Sequence, residues 1–130
     1  MQFQEPDSSS HSKFLERATE LAKLSDCKFQ HGAIIRKSGR TMAVGINRRT
    51  NNPQFLEDHD AKYNSSVHAE VAAIRACKKS DLRGAIIYVA RVNKHGSQMM
   101  SKPCEACQKA LKAAGIRKVY YTIDSSLNLD

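Results

Sequence analysis

Tryptophan is absent from this 130-residue chain, aromatic residues make up only 6% of it, and Asp and Glu are outnumbered 13 to 21 by Lys and Arg. Few rings leave few platforms on which unpaired bases could stack, as readers of single strands ordinarily require. The shortage of carboxylates leaves a formal net charge of +8, a field that attracts phosphate without choosing between a nucleotide and a nucleic acid. No apolar run approaches the ~20 residues of a membrane-spanning helix, so no membrane partner is expected. With three prolines, six glycines and no internal repeat, collagen-like, low-complexity and solenoid classes are excluded. Met1 to Asp7 has neither a basic nor an apolar signal region, so the expected location is cytoplasmic.

What remains is the composition of a globular domain, 41% hydrophobic and 26% charged. At this length we expect one domain over residues 9–130 behind a flexible N-terminus, residues 1–8. The cysteines are Cys27, Cys77, Cys104 and Cys107. Without a secretion signal, and with two of them spaced Cys-x-x-Cys, a metal or redox role outweighs disulfides.

Periodicity gives the elements. Phe14, Leu15, Ala18, Leu21 and Ala22 recur at helical spacing after Ser10 or Ser12, which predicts a helix ending near Ser25-Asp26. Residues 29–36 and 41–47 read as a hairpin around Lys37-Ser38-Gly39. The polar stretch from Arg48 to Asn64 reads as a long loop near the site. A second helix is expected from Val67 to about Ser80, capped by Ser65 or Ser66. Residues 85–91 form a third strand, and a third helix runs from Pro103 to Ala114 before Gly115. Residues 117–122 form a fourth strand. The order α-β-β-α-β-α-β predicts a layered α/β/α domain with a mixed central sheet, its first hairpin antiparallel and its later strands parallel.

Two motifs carry chemistry: His68-Ala69-Glu70 and Pro103-Cys104-Glu105-Ala106-Cys107. Cys104 and Cys107 are three apart at a helix start, on one face, so both sulfurs can reach one ion. The positive end of the helix favours thiolate, the form that binds zinc. His68 stands near the start of its own helix. Two thiolates, one imidazole and a fourth position left to water is the composition of catalytic zinc, whereas a structural site is closed by a fourth protein ligand. His31, His59 and His95 are the candidates for such closure. Glu70 is not needed as a ligand and is placed to move protons as base and acid in turn.

These motifs resemble the cytidine deaminase superfamily of zinc deaminases, whose signature they match. The resemblance covers roughly residues 10–122, including Gly32 to Ile35, Val44 to Asn47 and Ser101 to Cys104, and is nearest the CMP/dCMP-type branch. It implies a deaminase-like fold, Zn²⁺ held by His68, Cys104 and Cys107, and Glu70 as the proton shuttle. It further implies substrate contacts at Asn47, Ala69, Ser101 and Lys102, with the Ala69 N–H on the ring carbonyl and the Lys102 carbonyl on the leaving amine. The chain departs at Ala72, where many dCMP deaminases carry asparagine. The superfamily's usual fifth strand is expected from the tail or a partner chain, or is absent.

The expected function is hydrolytic deamination of a cytosine nucleotide or nucleoside to the uracil product, by a homo-oligomer. Arg48, Arg49 and Arg91 near the mouth suit a phosphate. A base deaminase acting on tRNA or single-stranded DNA is the alternative, and a zinc-stabilised non-enzymatic binding module is the third reading.

Overall fold

The computed structural model describes residues 1–6, 10–49, 66–77 and 80–124. Among them the elements run β1 (Gln2–Gln4), α1 (Ser12–Ala22), β2 (Gln30–Lys37), β3 (Arg40–Ile46), β4 (Arg48–Arg49), β5 (Ser66–Val67), α2 (Ala69–Ala76), β6 (Ile86–Val92), β7 (Gln98–Met99), α3 (Glu105–Ala114) and β8 (Lys118–Tyr121). The main sheet has the order β1-β8-β6-β2-β3, with β7 paired to β6. Strand β2 is antiparallel to both β3 and β6, while β8 is parallel to both β6 and β1. No helix of the described residues is long and apolar enough to cross a membrane.

Strand alternation divides the sheet's side chains between two cores. Ala33, Ile35, Ile87, Val89 and Val119 face α2 and α3, packing with Ala69, Ala73 and Leu111. Ile34, Tyr88, Ala90 and Tyr120 face α1, packing with Phe14, Leu15 and Ala18. Each outer layer closes on the hairpin at a glycine. A Cβ on Gly32 would collide with the backbone of Ala18 and Ala22; one on Gly45 would lie 2.5 Å from the Ala69 carbonyl oxygen and 2.6 Å from the Ala73 nitrogen. The backbones therefore touch the sheet directly, and Gly45 sets the depth at which α2 begins.

Three boundaries differ from expectation. Gln2–Gln4, inside the segment expected to be flexible, is a strand paired with Lys118–Tyr120. Phe3 packs against the α2/α3-side core, and the bare edge of β8 supplies hydrogen-bonding groups that a polar backbone can satisfy. The fifth strand thus comes from ahead of α1, a source the sequence did not suggest. Helix α2 starts at Ala69 rather than Val67, because Ser66–Val67 pairs with Arg48–Arg49 as a two-stranded ribbon. The remainder of the expected loop, residues 50–65, lies outside the described residues, and with it the expected cap Ser65 and the candidate closing ligand His59; the side chain of the alternative cap Ser66 is likewise outside the described ones. Helix α1 stops at Ala22, where Leu24 and Ser25 close a turn onto Leu21 and Ala22 and the Ser25 hydroxyl donates to the Asn47 carbonyl at 2.9 Å.

Candidate metal centre and its surroundings

Two helices begin at the same place. His68 is the N-cap of α2 (φ −70°, ψ 148°) and Cys104 the N-cap of α3 (φ −67°, ψ 168°). In this extended conformation an N-cap side chain leaves the helix axis and is free to face a ligand. Neither side chain caps its own helix; both turn to each other instead. The His68 Nδ1 lies 3.0 Å from the Cys107 Sγ and 3.6 Å from the Cys104 Sγ. All three donor atoms fall within 4.8 Å of one another, a spacing that fits one tetrahedral ion with bonds of about 2.0–2.3 Å. No fourth His, Cys, Asp or Glu joins this group among the described residues. His95 lies in the exposed turn before β7, and the His31 Nδ1 is 3.3 Å from the Phe29 carbonyl.

The electrostatics suit thiolate ligation. The Cys104 thiol is brought down to about 3, first by the hydrogen bond from Cys107 and then by His68. Cys107, fully buried, is pushed far up because its proton is given to the Cys104 sulfur and burial penalises its charge. Charge therefore gathers on Cys104, and a divalent cation among the three donors would release the Cys107 proton as well. The His68 imidazole is raised by its hydrogen bond with Cys104.

Glu70 stands in the first turn of α2 and is only 4% exposed. Burial is the main cause that raises its pKa, which moves a carboxylate toward the range where it trades protons near neutral pH. Ala69, the first residue of α2, presents an N–H that the helix itself cannot satisfy. These residues are thus brought together as the sequence expected.

The other expected contacts hold positions of two kinds. Asn47 is buried, and its amide clamps the start of β2. Its Oδ1 accepts from the His31 N–H at 2.8 Å and its Nδ2 donates to the Phe29 carbonyl at 2.5 Å. One amide proton and one lone pair remain for a ligand. Ser101, by contrast, is committed to the scaffold: its hydroxyl donates to the Val89 carbonyl at 2.8 Å and accepts from the Thr122 N–H at 2.7 Å. It anchors the segment that presents Lys102, whose Nζ rests 4.9 Å over the Phe3 ring. The Ala72 departure faces Gly45 of β3, its Cβ 3.1 Å from where a Gly45 Cβ would stand.

Sequence reasoning weighed His31 only as a fourth ligand. It faces the site from β2, and burial brings its pKa down to about 4. The signal was the alternation that puts His31 on the same strand face as Ala33 and Ile35.

Most of the chain is similar to known proteins. The family described as the cytidine and deoxycytidylate deaminase zinc-binding region matches residues 8–123. A deoxycytidylate deaminase of Mycobacterium phage D29 is 30% identical over 129 residues, covering 86% of this chain and 93% of that protein. An uncharacterized deaminase of Aliivibrio fischeri is 31% identical over 117 residues, covering 84% and 72%. Among solved structures, the dCMP deaminase of cyanophage S-TIM5 superposes with a TM-score of 0.67 at 22% identity, covering 95% of this chain and 90% of that one, and bears on the fold.

Proposed function

The chain belongs to the cytidine and deoxycytidylate deaminase family of zinc enzymes, and on that premise we propose that it converts deoxycytidylate to deoxyuridylate with release of ammonia. The observation that carries this reading is the buried Glu70, placed beside three converging donors at two helix starts. A structural zinc site has no use for a buried carboxylate next to it. The deoxycytidylate deaminase relative, alike over most of both chains, supports the choice of nucleotide.

His68, Cys104 and Cys107 would hold the zinc, which when bound would supply the Lewis acidity that makes water a nucleophile at neutral pH. Glu70 takes a proton from the attacking water and delivers it to the ring nitrogen. It then carries the second proton to the departing amine, leaving the uracil carbonyl and ammonia. The Ala69 N–H donates to the ring carbonyl and the Lys102 carbonyl accepts from the amine, which fixes the carbon under attack. The remaining amide proton of Asn47 is placed for the sugar. Ser101 positions Lys102.

The same reading takes the enzyme as cytoplasmic and homo-oligomeric; the family resemblance supports the second part, and light scattering on the purified protein tests it. A base deaminase acting on single strands is the second reading, favoured by Phe29, a ring 53% exposed beside the site, on which a base could stack. The deciding experiment offers zinc-loaded protein cytosine, deoxycytidine, CMP, dCMP, guanine and short cytosine-containing strands, scored by mass for the one-dalton gain of deamination. Turnover greatest with dCMP is expected; turnover confined to the strands overturns the first reading in favour of the second.

A further inference from the structure

Three arginines, Arg48, Arg49 and Arg91, stand near the mouth by sequence, and the structure separates Arg91 from the others. Arg48 is exposed on the β4–β5 ribbon, and the side chain of Arg49 lies outside the described ones. Arg91 is in the main sheet, at the end of β6, directly opposite His31 of β2 in the register. Both continue the strand face that carries Ala33, Ile35, Ile87 and Val89, the face covered by α2 and α3. They lie at the end of that face where the two helices begin: His31 is within electrostatic reach of His68 and Cys104 as well as of Arg91.

The Arg91 guanidinium is held but not satisfied. Its Cζ rests 4.7 Å from the centroid of the Phe29 ring, which braces it. Its backbone N–H donates to the Thr122 hydroxyl at 3.2 Å, which fixes the strand end it springs from. Its Nε is buried without a hydrogen-bond partner, and no carboxylate pairs with the guanidinium among the described residues. Buried donors in folded proteins are nearly always filled. A planar five-donor fork braced on a ring is the group that recognises phosphate and carboxylate in two-point fashion. A neutral cytosine base offers no such anion, but the substrate read above carries one at its 5′ end.

We propose that Arg91, braced by Phe29 on the wall it shares with His31, recognises the 5′-phosphate of the nucleotide and so sets the preference for nucleotide over nucleoside. This rests on the deoxycytidylate reading. The test compares kcat/KM for dCMP and deoxycytidine in wild type, Arg91→Met and Arg91→Lys, with zinc content and melting temperature measured for each protein. In Arg91→Met the ratio of dCMP to deoxycytidine kcat/KM is expected to fall about 100-fold, the worth of one or two charge-assisted bonds, through KM rather than kcat. Lysine keeps the charge and should restore part of the ratio. Inhibition by dUMP should weaken in step, while inhibition by deoxyuridine should not. If wild type prefers dCMP and Arg91→Met keeps that preference, the substrate reading stands and the role of Arg91 is overturned. If wild type itself has no preference for dCMP, the substrate reading fails and this proposal fails with it.

Discussion

The two faces of the central sheet are made from alternate residues of the same strands, yet they are packed for different ends. The α1 face is filled with rings. Tyr88 and Tyr120 stack at 5.3 Å, His11 stacks on Tyr120 at 4.4 Å, and Phe14 tilts against Tyr88 at 5.2 Å. The α2/α3 face is filled with aliphatics instead, Ala33, Ala69, Ala73 and Ala85 set among Ile35, Ile87, Val89, Leu111 and Val119. Both outer layers meet the hairpin backbone at a glycine, Gly32 under α1 and Gly45 under α2, so the difference lies in what fills the rest of each face and in which ends of the helices gather there. On the aliphatic face two helix N-termini converge closely enough for the donor atoms of His68, Cys104 and Cys107 to fall within 4.8 Å of one another. One face is packed with stacked rings; the other brings two helix starts together.

That contrast can be broken first at the chemistry. Glu70→Gln should lower kcat for dCMP by about 10²–10⁴-fold, the usual worth of a positioned acid–base group. Zinc content by elemental analysis should stay stoichiometric, and near-normal turnover would remove Glu70 from the mechanism. On the opposite face, Phe14→Ala should cost about 3 kcal/mol of stability in denaturant titrations. Turnover per folded, zinc-loaded molecule should hold, and a matching loss of kcat would mean that the faces are not independent.

The paired glycines sharpen the comparison further. Gly32→Ala and Gly45→Ala each overpack a helix against the hairpin, for about 1–3 kcal/mol. Only Gly45→Ala pushes on the start of α2, so only it should weaken zinc retention against a chelator, by about 10-fold or more. Equal zinc retention in the two variants would show that the depth of α2 does not set the site.

The smallest effect concerns His31. Burial holds its pKa near 4, below its ordinary 6.5, so an unfolded chain takes up a proton between pH 6.5 and 4 that the folded one refuses. The contribution to stability is full above pH 6.5 and is lost as pH falls through that window, by at most about 1.4 kcal/mol per unit. Thermal melts from pH 7 to 5 should fall more steeply for wild type than for His31→Gln; parallel curves would contradict it.

The contrast also explains what could be read in advance. The long elements were legible because burial leaves a period: Phe14, Leu15, Ala18 and Ala22 for a helix, and Ala33 to Ile35 for a central strand. The candidate site was legible because thiol, imidazole and carboxylate at helix starts are a chemical combination rather than a packing pattern. Strands of two or three residues, Gln2–Gln4, Ser66–Val67 and Gln98–Met99, leave no period at all. They exist because a neighbouring edge needs hydrogen bonds, which no local window contains. Ser101 was read by its place beside Pro103, but its hydroxyl answers to Val89 and Thr122, partners that only the fold brings near. Arg91 was legible as a charge and not as an orphan, since being unpartnered is a property of the finished structure.

The pairing of Gln2–Gln4 with Lys118–Tyr120 also orders events in time. A nascent chain emerges with β1 first, but β1 has no strand to lie against until β8 has left the ribosome. Meanwhile α1, the β2–β3 hairpin, α2 and β6 can assemble through nearer contacts. The outer edge of β6 stays open until β8 arrives, and β1 then closes the sheet over β8 as the contact of longest sequence separation. Such contacts form late and slow a folding reaction, leaving an exposed edge meanwhile. A bulky fusion ahead of Met1 would therefore act on the last step of assembly, prolonging the interval in which two growing copies can pair edge to edge.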